Sequence, residues 1–112
     1  MTTYNEWKFL APVVETVKAL IGIDVRQLGS WAEYKDAVYR ADRSKVFDRA
    51  EKLATEASTG EFAVLVTTLA TMDYAALAVD LERKHDRSLL ACWQYTTGDH
   101  AKAVAGAMGM GA

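Results

Sequence analysis

The longest apolar run in the chain, Phe62 to Val79, limits the fold more than any other feature. Its apolar positions cover most of a helix circumference rather than one stripe, so neighbours must cover it from several sides. Asp73 and three threonines (Thr67, Thr68 and Thr71) interrupt it. A membrane span would have about 20 cleaner residues, and an aspartate inside lipid is costly. The reading that remains is a helix over residues 61–85, buried at the centre of a bundle. The expected fold is all-α: a compact bundle of four to six helices around that central helix.

Helix starts are marked by short-range chemistry. Thr3, Ser30 and Ser58 each stand three residues before a glutamate: Glu6, Glu33 and Glu61. In such a pair the hydroxyl accepts from an early backbone N–H, and the carboxylate reaches back to the cap residue. The first segment places Trp7, Leu10, Val14, Val17 and Ile21 at helical spacing, with Gly22 as a stop. Pro12 either kinks this helix or stands near its start after a short turn. Residues 23–29 read as a connector. From Ser30 to Ser58 two stripes fail to align: Trp31, Tyr34, Val38 and Ala41, then Val46, Ala50, Leu53 and Ala57. A break at residues 41–44 follows, with Asp42 or Ser44 as the cap. Asp36 with Arg40, and Asp48 with Lys52, suit a solvated helix face.

The polar run Glu82 to Arg87 marks the emergence of the central segment into water. Residues 88–96 fit either a short helix or an extended stretch. A last helix opens at Gly98 and Asp99, with Ala101, Val104 and Met108 in line, and a Gly-rich tail from residue 106 is expected to fray. The phrase Thr59–Ala63 resembles Thr97–Ala101, but the likeness stops within a few residues and reads as shared helix-start grammar. With 112 residues, 51% hydrophobic and 25% charged, and no linker, the chain reads as one domain over residues 1–112.

Charge narrows the partners. Thirteen basic and fifteen acidic residues are interspersed, giving a formal charge of -2. A nucleic-acid binder carries a basic face, and this balance supplies no surplus for one. Cys92 is a lone cysteine, which cannot form an internal disulfide. No signal-peptide pattern stands at the N-terminus, where Glu15, Lys18 and Asp24 break the apolar stretch. The expected compartment is the cytoplasm, with no membrane partner.

Three constellations could carry chemistry. Glu82 and His85 have the Glu-x-x-His spacing of carboxylate-bridged metal bundles, but those need the motif twice. A His in the last turn of a helix has a simpler reading, since positive charge is favoured there. Cys92 with His85 or His100 could form a thiolate–imidazole pair, although a lone cysteine is more often a small buried hydrophobe. Asp73, in the most apolar segment with Asp80 two turns on, could be a desolvated carboxylate; the alternative is an Asp at the helix margin, paired to a cation. Phosphate-cradling glycine loops are absent from the sequence.

The aromatic residues are the last candidate. Trp31, Tyr34 and Val38 share a helix face, and Tyr39 diverges from it beside Arg40 and Arg43. Tyr and Trp are enriched at protein contacts, so these four residues form the expected partner face. The leading functional expectation is a non-catalytic helical interaction or regulatory module, binding a protein partner or pairing as a homodimer, with no cofactor. A small-ligand or metal-binding bundle using Asp73 or the Glu82/His85 end is the second expectation. A small enzyme using Cys92, His85 or His100 is the third.

Overall fold

The computed structural model describes residues 3–110, and they are all-helical with no strand. Eight α-helices follow in order: α1 (Tyr4–Trp7), α2 (Ala11–Ile21), α3 (Trp31–Arg40), α4 (Arg43–Glu56), α5 (Thr59–Thr71), α6 (Ala75–Lys84), α7 (Leu89–Gln94) and α8 (Gly98–Met110). A 3-10 turn at Val25–Gln27 joins α2 to α3. The all-α class stands, and the helix count exceeds the expected four to six. The extra elements come from two short helices, α1 and α7, and from a break in the central segment.

The capping chemistry works as the spacing implies. Thr3 with Glu6 and Ser58 with Glu61 form complete capping boxes. Ser30 accepts from the Glu33 N–H, but the Glu33 carboxylate takes the Gly29 N–H one residue further back. Asp42 caps α4 by accepting from the Ser44 and Lys45 N–H groups, which fixes the break after α3. Pro12 lies in the first turn of α2, where its missing donor costs nothing, so α1 is a separate turn and no kink is needed.

The expected helix over residues 61–85 is two helices, and aspartate divides them. Asp73 adopts a left-handed backbone with φ 65°. The Asp73 N–H donates to the Ala70 carbonyl and the Tyr74 N–H to the Leu69 carbonyl. This is the paired 5→2 and 6→1 closure of a Schellman motif, in a position usually taken by glycine. Asp86, φ 51°, closes α6 the same way, with Asp86 N–H on Arg83 and Arg87 N–H on Glu82. Of the two readings open for residues 88–96, the structure has the short helix, at Leu89–Gln94, and one other expectation changes: α8 runs through Met110, with Gly106 and Ala107 buried. The expected fraying from residue 106 is absent up to that point because this end of α8 packs on α5.

Every residue of α5 from Phe62 to Leu69 is buried. α5 is surrounded by α2, α4, α6, α7 and α8, as its all-round apolar surface requires. Fully burying a side chain such as Phe62 or Leu69 contributes about 1.5–3 kcal/mol. The N-terminal end is tied in by aromatic contacts. Tyr4, Trp7, Trp31 and Tyr34 pack in tilted and edge-on pairs with centroids 5.4 to 6.2 Å apart. The Trp7 indole N–H donates to the Ala103 carbonyl at 3.1 Å, joining α1 to α8. The Tyr4 hydroxyl and the Lys8 ammonium both donate to the Leu28 carbonyl, at 2.8 and 3.2 Å.

Candidate functional site

α6 and α8 both lie on α5 but share little contact with each other. The gap between them is a slot of about 320 Å³. Its floor is the α5 strip Val66, Thr67 and Ala70; its walls include Ala78, Val79 and Glu82 of α6, Leu89 of α7 and Met108 of α8. Thr67 adds no free polar group, because its hydroxyl donates back to the carbonyls of Ala63 (2.8 Å) and Val64 (3.2 Å). Glu82 is the single charged residue in the lining, and one of its oxygens accepts from the Leu89 N–H at 3.4 Å. Val79 and Met108, on opposite walls, remain 51% and 46% exposed.

A second concavity of about 230 Å³ lies between α2, α4, α5 and α8. Glu15, Glu56, Glu61 and His100 border it over a floor that includes Val64 and Leu65. The Glu61 carboxylate is held below the usual carboxylate range, first by the Ser58 N–H, then by the Ser58 hydroxyl, with a smaller attraction from His100. That group is committed to capping α5.

The expected partner face is turned inward. Tyr34 is fully buried and Val38 nearly so, while Trp31 is half-buried in the aromatic cluster. An amphipathic stripe that serves as core offers no docking surface. Tyr39 alone projects outward, 90% exposed. Burial pushes the Tyr34 phenol up, against the opposing effect of its hydrogen bond with Thr71.

The polar candidates separate from one another. Asp73 is exposed at the α5–α6 junction and pairs with Lys35 at 2.7 Å; Asp80 faces Arg83 at 3.7 Å. Asp73 is therefore the cation-paired margin residue, and no desolvated acid. Glu82 borders the slot, whereas His85 turns toward α4, its Nε2 3.3 Å from Glu51 Oε1. Its ring also meets Phe62 edge-on at 6.4 Å. Glu51 is held low mainly by Lys84, 2.9 Å away. Among the described residues no three His, Cys, Asp or Glu side chains are placed to hold a metal ion. Cys92 is buried in the core, and among the described residues no hydrogen bond joins its thiol to His85 or His100.

Sequence reasoning missed the slot floor. Its signal was the apolar character of outward positions, Val79 and Met108, on helices flanking an all-round apolar one. Among the described residues no helix is long and apolar enough to cross a membrane. No family model matches the chain, and no curated protein or solved structure is significantly similar to it.

Proposed function

We propose that the protein is a non-catalytic interaction module that receives an apolar helix face in the slot between α6 and α8. One observation carries this reading. Of the α5 residues between Phe62 and Met72, Ala70 alone is exposed, and it lies on the slot floor. The other sides of α5 are covered by helices of the same chain, so at Ala70 two rods bound an opening over a third. That is the shape of helix-in-groove recognition, read by side chains at i, i+3 and i+4.

An NMR titration with a helical peptide of leucine and lysine tests this. Shift changes should gather on Val66, Ala70, Val79 and Met108. Changes confined to the Trp31 end, or none at all, would count against the slot. A second reading is favoured by the slot volume, which falls within the ~300–1,000 Å³ of small-ligand pockets. In that case the ligand is an apolar molecule with a cationic head for Glu82, and a thermal-shift screen of long-chain amines should raise the melting temperature.

A further inference from the structure

We infer that the slot selects a partner helix with one basic residue, Lys or Arg, at the end of its apolar face, placed to meet Glu82. This rests on the reading of the slot given above. α6 lines the slot with Ala75, Ala78, Val79 and Glu82. Those positions are i, i+3, i+4 and i+7, so three apolar residues and one acid share a helix face over about 10 Å. A helix laid along α6 meets such a face with side chains at the same spacing. Its apolar residues lie over the alanines and Val79, and its last contact, beside Leu89, falls opposite the acid. The same face of α6 on a second copy would offer another acid there.

Charge identifies that last contact. Glu82 is the single charged side chain in the lining, and among the described residues it has no ion-pair partner. The bases nearest to it in sequence face elsewhere. Arg83 lies 3.7 Å from Asp80, Lys84 lies 2.9 Å from Glu51, and Arg87 donates to the Ala57 carbonyl at 2.8 Å. The one hydrogen bond to Glu82, from the Leu89 N–H, is long at 3.4 Å and uses one of the two carboxylate oxygens. Half-buried, the carboxylate still reaches solvent. A wholly apolar face closing over the slot would strip it of hydration with nothing in exchange, which is costly. A Lys or Arg at that point supplies charge-assisted donors, and its methylene stem can lie along the apolar wall. An acid at the same point is repelled, so one residue both attracts the right helix and rejects the wrong one.

Fluorescence anisotropy with three labelled, hydrocarbon-stapled helical peptides tests the inference on the full chain. They share leucines at i, i+3 and i+4 on a neutral alanine and glutamine background and differ only at i+7, which is Lys, Met or Glu. The Lys peptide should bind the unaltered protein about tenfold more tightly than the Met peptide, and the Glu peptide more weakly than either. E82Q keeps an acceptor for the Leu89 N–H and should erase the preference for lysine. E82K should turn the preference toward the Glu peptide. The comparison among peptides on the unaltered protein remains decisive if E82K misfolds. Equal binding of all three, with amide shift changes at Ala70 and Val79, overturns the basic residue and leaves the slot as a helix groove. A lysine preference that survives in E82Q overturns Glu82 as its source. Binding of none removes the groove reading and this inference with it. Shift changes at Ala70 and Met108 on concentrating the protein alone put a second copy in the slot, and changes with dodecylamine but no peptide put a small amphiphile there; either overturns the partner helix.

Discussion

The buried Tyr34–Thr71 pair gives a stability prediction with an internal check. The two hydroxyls are 2.7 Å apart, and the Thr71 hydroxyl is also 2.6 Å from the Thr68 carbonyl. A threonine has one hydroxyl proton, and the carbonyl can only accept. Thr71 therefore donates to Thr68, and Tyr34 donates to Thr71. The two deletions are then unequal. Y34F removes a donor and leaves Thr71 still bonded to its own helix, a loss of about 1 kcal/mol. T71V leaves the Tyr34 O–H buried with no acceptor, at a cost of about 2–3 kcal/mol. Adding Y34F to T71V removes the stranded donor, so the double variant should recover about 1 kcal/mol relative to T71V. Urea unfolding with linear extrapolation reads all four proteins, provided the slopes agree. Equal single losses that add in the double variant would refute the assigned donor direction.

Two further outcomes follow from the structure. Asp86 holds φ 51° at the end of α6, a conformation costing an L-residue about 1–2 kcal/mol, partly offset by the extra unfolded-state entropy of glycine. D86G should therefore raise stability by about 0.5 kcal/mol and D86V should lower it by about 1–2 kcal/mol, as read by thermal unfolding. At alkaline pH, burial and then the nearby Glu33 push the Tyr4 phenol from 10.0 up to about 12, and burial raises Tyr34 as well. A raised folded value means the unfolded chain loses these protons first, so stability is full below about pH 10 and falls as pH rises through the folded value. Denaturant midpoints taken from pH 9 to 12 should drop less steeply for Y4F and Y34F than for wild type; parallel slopes would contradict the assignment.

What was legible in the sequence was local. Ser58 with Glu61 and Asp42 ahead of Ser44 announce helix starts because the capping atoms lie within three residues of the groups they satisfy. The division of α5 from α6 was hidden because Asp73 replaces the glycine that normally marks a left-handed closure. Spacing showed that Trp31, Tyr34 and Val38 share a face, but a shared face does not say which way it turns; burial of Tyr34 against Trp7 and Thr71 decided that. The slot joins residues from Val66 to Met108 across four helices. No local pattern encodes such a meeting, which depends on how α6 and α8 diverge over α5.

The contact face can be read directly from backbone amide shifts of the protein over a rising concentration of the leucine–lysine helical peptide. The expected result is progressive movement of the Ala70, Val79, Asp80 and Met108 signals while those of Trp31, Tyr34 and Val38 stay fixed. Movement centred on Tyr39 and its neighbours, with the α5–α6–α8 signals unmoved, would contradict the assignment of that surface.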